Sequence, residues 1–164
     1  MYKTGRDRMK ETQSYISARR TVWLAIFLMI LIALVAIIKS LELWKTTEFK
    51  HNVVAPRGII SVAVADDAEE REKGLMYKDG LDVNSGMLFI FEKDLAGCFW
   101  MKNTRIPLDI IWLDESKKVI FIHEHAYPYD ETSICADKTA TYVLEVNAGQ
   151  AKEYGIVLGA ELGF

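Results

Sequence analysis

Residues 99–109 read Phe-Trp-Met-Lys-Asn-Thr-Arg-Ile-Pro-Leu-Asp, and the runs on either side of them are strongly apolar. Cys98 to Lys102 is predicted to be a strand and 108–113 the next strand. Asn103 to Pro107 is predicted to turn the chain, because proline cannot donate to a central β-ladder. Polar side chains set between two core-forming runs indicate either a binding site or a structural corner.

Alternation along the first of these strands separates its side chains into two sets. Phe99 and Met101 are expected to face one way, and Trp100 and Lys102 the other. The corner would therefore present an aromatic ring and an ammonium group on the face opposite its apolar pair.

Outward from this corner, short β-type runs alternate with turn signals. Further strands are predicted over 59–65, 87–91, 119–125 and 141–146, and short helices over 68–73 and 148–154. The connections are mostly short, and no internal repeat is present. The predicted fold class is mainly β, a small antiparallel barrel or sandwich with one or two short helices.

The N-terminal third has a different character, because residues 22–38 contain no charged side chain. That length is at the short end for a spanning helix, so a transmembrane helix is predicted over 21–41. Residues 1–20 are a basic tail expected in the cytoplasm by the positive-inside rule. A linker is expected over 42–57, and an extracytoplasmic mainly-β domain over 58–164.

The predicted helix is interpreted as an uncleaved signal anchor of a single-pass protein of the cell membrane. A cleaved signal peptide is the main alternative, but the apolar run is longer than a usual signal-peptide core. Lys39-Ser40-Leu41-Glu42 is also a poor cleavage site. The lipid bilayer is thus the expected partner of residues 21–41.

Charge excludes one large class of partner. Residues 53–164 carry eleven Lys and Arg against nineteen Asp and Glu. Nucleic-acid binding relies on neutralising phosphates with basic side chains, so no nucleic-acid partner is expected. Phosphate-binding loops, dinucleotide fingerprints and zinc-type cysteine pairs are also missing from the sequence, and no cofactor is predicted.

Four segments occur in an order that is similar to a known family. They are Gly74-Leu75-Met76, Gly86-Met87-Leu88-Phe89-x-Phe91, Phe99 to Asp109, and Ala140-x-Tyr142-Val143-Leu144-Glu145-x-x-x-Gly149. The pattern resembles the uncharacterised "domain of unknown function 192" family over nearly all of residues 58–164. The resemblance implies a compact, mainly β domain, and it supplies no biochemical activity.

The corner carries the candidate ligand-binding residues. An ammonium, an amide, a hydroxyl and a carboxylate beside an aromatic wall would suit a small polar ligand. The alternative is structural, with the turn residues bonding the backbone, the aspartate paired with the lysine and the tryptophan in the core. The candidates are Trp100, Lys102, Asn103, Thr104, Asp109 and Glu124.

His123 and His125 are two residues apart on a predicted strand, so both imidazoles are expected on one face. This spacing occurs in metal sites, but the neighbouring sequence supplies no complete ligand set. The alternative is a pair of rim histidines.

Cys98 and Cys135 are the only cysteines. In an extracytoplasmic domain they could form a disulfide, and a bridge across such a loop would stabilise the fold by about 3–4 kcal/mol. The alternative is that Cys98 and Cys135 are two separate thiols.

Three functions fit these features. The favoured one is a membrane-anchored binding or accessory module with a ligand cleft at the corner. The second is a small hydrolase acting on envelope carbohydrate, with Asp109 or Glu124 as acid or base and Lys102 stabilising charge. The third is an interaction scaffold without a small-molecule site.

Overall fold

The computed structural model describes residue 19 and residues 22–38, 51–92 and 97–164. The chain divides into two compact units, Met1–Thr47 and Glu48–Phe164.

In the first unit, residues 22–38 form a helix, α1, whose side chains are exposed. Of the helices in the described ranges, none has both the length and the apolar character required to cross a bilayer. The spanning helix predicted over 21–41 includes residues 21 and 39–41, which lie outside the described residues. The basic tail, apart from residue 19, and the linker up to residue 50 lie outside them too.

The second unit is built on one six-stranded sheet with the strand order β1-β2-β3-β6-β4-β5. Strands β2 and β3 are parallel, and every other neighbouring pair is antiparallel. The elements are β1 (His51–Ala55), β2 (Gly58–Ala65), α2 (Ala68–Lys73), β3 (Ser85–Ile90), β4 (Leu108–Leu113), β5 (Val119–Ala126), β6 (Tyr142–Asn147) and α3 (Gln150–Glu153).

The mainly β class with a few short helices is confirmed, but the antiparallel barrel or sandwich is wrong. The connection from β2 to β3 contains α2 and is long enough to return the chain in parallel, so the sheet is mixed. The sheet is also open, with β1 and β5 as its edges. Isolated bridges attach the C-terminal segment to β1 at Val54 and to the start of β5 at Lys118.

Strand β1 lies within the predicted linker. Its Val53 and Ala55 are buried while their neighbours are exposed, so the segment has the alternation of an edge strand. Pro56 and Arg57 form a two-residue connection to β2. The sequence interpretation took that connection for a domain boundary, although it is the turn of a hairpin.

The helix predicted after β2 is present and capped at both ends. The Asp67 side chain accepts a hydrogen bond of 2.8 Å from the Glu70 amide, which satisfies one free N–H of the first turn. Gly74 ends the helix at φ 46°, a conformation that glycine adopts without strain. The helix therefore ends at Lys73.

The sheet has a core on each face. The first face carries Ile60, Val62, Leu88, Ile111 and Leu144, together with Ala151 of α3. The second face carries Ala63, Met87, Phe89, Ile110 and Val143, together with Leu75 and Met101 from the loops. Strands β3, β4 and β6 are thus covered on both sides, which explains their continuous apolar sequences.

Candidate ligand-binding site

The corner at residues 101–104 is a tight turn in which the Thr104 amide donates to the Met101 carbonyl over 3.1 Å. Asn103 has a φ of 54°, which asparagine tolerates better than most residues. Its side-chain amide donates to the Tyr77 hydroxyl over 2.9 Å. Its backbone carbonyl accepts from the backbone amide of Tyr77, also over 2.9 Å. Asn103 therefore joins the corner to the neighbouring loop.

The side chains before the turn alternate as predicted. Met101 is fully buried, whereas Trp100 is 45% exposed. The Lys102 ammonium lies 5.1 Å from the centre of the Trp100 ring, a cation–π contact. The backbone differs from the prediction, because this segment has only an isolated bridge from Phe99 to Ile134 instead of a ladder.

Asp109 lies on the first face of the sheet, because its neighbours Leu108 and Ile110 lie on the second face and side chains alternate along a strand. It is fully buried, and its two oxygens accept three backbone hydrogen bonds. The donors are the amides of His125 (2.9 Å), Gly149 (2.8 Å) and Ala151 (3.0 Å). Asp109 thus ties β5 and the start of α3 to β4.

The two histidines do not share a face. His123 pairs with Ile110 on β4, but a register shift follows, and Ala126 pairs with Leu108. The extra residue of this bulge breaks the alternation between His123 and His125. No group of three or more His, Cys, Asp or Glu in the described ranges is placed to hold a metal ion. Glu124, between the histidines, is exposed.

Cys98 and Cys135 are joined by a disulfide. The bridge lies beside paired backbone hydrogen bonds of 2.8 Å between Phe99 and Ile134. It thereby fastens the segment before the corner to the loop that follows β5.

A cavity of about 400 Å³ opens on the second face, between α2 and the segment that leads into the corner. Aromatic side chains form much of its wall, namely Phe89, Phe91, Phe99 and Trp100. Of the predicted candidates, the cavity brings together Trp100 and Thr104, and Cys98 of the disulfide also lines it. Lys102, Asn103, Asp109, Glu124, His123 and His125 do not line it.

The most unusual residue of the cavity is Glu145. It lies in the middle of the central strand β6, with Met87 of β3 and Ile110 of β4 as its lateral partners. It is only 5% exposed, and the described residues give its carboxyl group neither a hydrogen bond nor an ion pair. Burial raises the pKa of Glu145 to about 8, which favours the protonated acid at neutral pH.

Basic side chains of α2 lie at the same cavity. The Arg71 guanidinium donates to the Ile90 carbonyl over 3.0 Å and lies 5.3 Å from the centre of the Phe91 ring. Burial lowers the pKa of Lys78, and the nearby charge of Lys73 lowers it further. This side of the cavity therefore carries two basic side chains, Arg71 and Lys73, and one acidic side chain, Glu72.

Sequence reasoning missed Glu145 as a site residue, although a signal was present. A carboxylate interrupts the apolar run Tyr142-Val143-Leu144-Glu145-Val146, where a strand buried on both faces should be apolar throughout. Arg71 and Lys73, which also line the cavity, are not among the predicted candidates either.

The predicted pair of catalytic acids does not meet at the cavity. General acid–base catalysis needs titratable groups converging on one substrate position. Asp109 and Glu124, the predicted pair, are both outside the cavity. Glu145 is the one deeply buried carboxyl among the described cavity residues, and Glu72 of α2 is exposed.

Two solved structures are similar to this chain. One is a protein of unknown function from Novosphingobium aromaticivorans DSM 12444, with a TM-score of 0.65 and 35% identity over 69% of this chain and 84% of that one. The other, from Sinorhizobium meliloti 1021, is described as "a putative transcription regulator", with a TM-score of 0.66 and 35% identity over 68% of this chain and 91% of that one. The comparison with curated proteins gave no match. The sequence profile of DUF192, described as "Uncharacterized ACR", matches residues 51–164, and the chain belongs to this family.

Proposed function

We propose that this protein is a binding module for a small polar ligand, and that the ligand occupies the cavity at Glu145. The observation that carries this proposal is a carboxyl group buried to 5% exposure beside a cavity, with no partner in the described part of the chain. Burying a polar group without a hydrogen bond costs about 1–3 kcal/mol in proteins. A ligand that hydrogen-bonds to Glu145 would recover that free energy.

This proposal moves the ligand away from most of the predicted corner. Trp100 and Thr104 keep a place beside it, whereas Lys102 and Asn103 are engaged with Trp100 and Tyr77. The volume of the cavity lies within the range usual for small-molecule sites. No comparable observation favours the carbohydrate hydrolase or the scaffold.

We also propose that the binding domain is tethered outside the cell membrane by residues 21–41. The support is the uncharged run 22–38 after a basic tail, together with a disulfide of the kind that persists outside the cytoplasm. Washing membranes with alkaline carbonate tests the tether, since an anchored chain stays in the pellet. Release into the supernatant would contradict it.

A thermal-unfolding screen of the full chain in mild detergent tests the ligand site. Sugars, amino acids, nucleotides and organic acids are the probes. A ligand at about one hundred times its Kd adds about 2.7 kcal/mol to the free energy of unfolding, which raises the midpoint. We expect the shift to disappear in Glu145→Gln and to persist in Glu153→Gln, the same change at an exposed position of α3. An equal shift in both variants would place the ligand elsewhere.

A further inference from the structure

We propose that the cavity binds a small zwitterion, with an ammonium group beside Glu145 and an anionic group beside Arg71 and Lys73. This inference rests on the proposed function and names the class of ligand. Amino acids, including those with a longer separation between the two charges, are the simplest members of the class.

The charges of the cavity have opposite signs on different elements. Glu145 projects from the sheet, whereas Arg71, Glu72 and Lys73 belong to α2. Strands β3 and β4 contribute no titratable group beside Glu145, because its lateral partners are Met87 and Ile110. The segment 97–104 contributes Cys98, which is in a disulfide, and Thr104 to the lining. Among the described residues, no cation forms an ion pair with Glu145, so an ammonium group on the ligand would supply the charge that complements its ionised form.

The aromatic walls favour a cation over an anion near Glu145. Ring faces carry negative potential and attract ammonium and guanidinium groups. Two rings of the cavity already accept cations, since Arg71 lies over Phe91 and Lys102 over Trp100. An anion in the same place would keep Glu145 neutral.

The position of Arg71 indicates where the negative charge of the ligand would lie. Its guanidinium is held at the Ile90 carbonyl, three residues along β3 from Met87, the partner of Glu145. Three residues of strand span about 10 Å. A ligand that meets both groups must carry its positive and negative charges several ångströms apart.

Isothermal titration calorimetry of the full chain in detergent tests this inference. The probes are glycine, β-alanine, 4-aminobutyrate and 6-aminohexanoate, which increase the charge separation stepwise. Each is matched by its N-acetyl derivative, by the acid without the amine and by the amine without the acid. We expect one zwitterion of the series to bind best and each of its matched analogues to bind at least tenfold more weakly.

Proton release provides an independent readout. An ammonium group that pairs with ionised Glu145 displaces the proton that the carboxyl holds before the ligand binds. The enthalpy measured in buffers of different ionisation enthalpy should therefore report close to one proton released near pH 6. Glu145→Gln should lose both the binding and the proton release, and Glu153→Gln should keep both.

The failures of the two proposals are distinguishable. If the acid without the amine binds as tightly as the zwitterion, or if no proton is released, the ammonium assignment is wrong. If the amino-acid series does not bind while another compound of the thermal screen stabilises only chains that retain Glu145, the binding module stands and the zwitterion falls. If no compound distinguishes Glu145→Gln from Glu153→Gln, both proposals fail.

Discussion

Asp109 and Glu145 are buried carboxyl residues on neighbouring central strands, yet their surroundings differ completely. Asp109, 0% exposed on β4, accepts hydrogen bonds from three backbone amides on the first face. Glu145, 5% exposed on β6, faces a cavity on the second face without a partner in the described residues. Burial alone therefore does not identify a functional acid in this fold. The decisive difference is whether the fold itself supplies donors.

The two residues also affect stability in opposite directions. A carboxylate that accepts several backbone N–H bonds stabilises the elements that donate them. A buried carboxyl without a partner destabilises the folded state. Stability–function trade-offs are common at binding sites, which is why an unsatisfied group beside a cavity supports a role in binding.

Replacing Asp109 should have the largest effect. Asp109→Ala leaves three amides without their acceptor, namely those of Gly149 at the N-cap of α3, Ala151 in α3 and His125 in β5. We expect a loss of about 4–5 kcal/mol in the free energy of unfolding, measured by urea titration. Asp109→Asn, which retains one acceptor oxygen, should lose less. A loss below about 1 kcal/mol in the alanine variant would mean that the three bonds do not support the fold.

Removing the disulfide, whose Cys98 lines the cavity at Glu145, should have the next largest effect on stability. The bridge closes a separation of 37 residues, so the double variant Cys98→Ser, Cys135→Ser should be about 3–4 kcal/mol less stable. Wild-type protein treated with a reductant should show the same loss in urea titration. The reductant should not change the double variant. Equal stability of reduced and oxidised wild-type protein would contradict the prediction.

Local sequence patterns were sufficient for most of the elements but not for their arrangement. Short β-type runs and turn signals were enough to predict β2 and α2, since these signals lie within a few residues of each other. The parallel pairing of β2 with β3 depends on long-range contacts that no local pattern encodes. The bulge before Ala126 was not predictable from local patterns either. Its single extra residue moves His125 out of alternation with His123.

The site was harder to predict than the fold for a related reason. Asp109 and Glu145 both interrupt apolar strands, so the sequence alone gives them similar status. Two of the three amides that satisfy Asp109 are those of Gly149 and Ala151, 40 and 42 residues away along the chain. Only the folded arrangement shows which acid has donors. The density of polar groups at residues 99–109 drew attention to the corner, where much of the polarity is used by the turn.

The third prediction concerns pH. Glu145 has a folded pKa of about 8 against an ordinary value of 4.5, so the folded state holds the proton more tightly. Its contribution to stability is therefore greatest below about pH 4.5 and declines as the pH rises to about 8. From pH 5 to pH 7 the decline should be about 2–3 kcal/mol.

Comparison with Glu145→Gln isolates this contribution, because the amide does not titrate. Urea titrations of both proteins at pH 5, 6, 7 and 8 give the difference in unfolding free energy at each pH. The unfolding free energy of the wild-type protein should fall steadily relative to that of Glu145→Gln over this range. A difference that stays constant with pH would show that the Glu145 carboxyl titrates with an ordinary pKa.

The smallest predicted effect is a gain in stability, and it separates the two acids most sharply. Glu145→Leu replaces an unpartnered carboxyl with an apolar side chain of similar volume among Met87 and Ile110. We expect the unfolding free energy at pH 7 to rise by about 1–2 kcal/mol, while ligand binding is lost. Asp109→Leu should instead lose stability, since its three donors would have no acceptor. If Glu145→Leu were also destabilised by 2 kcal/mol or more, Glu145 would be part of the structural framework, as Asp109 is.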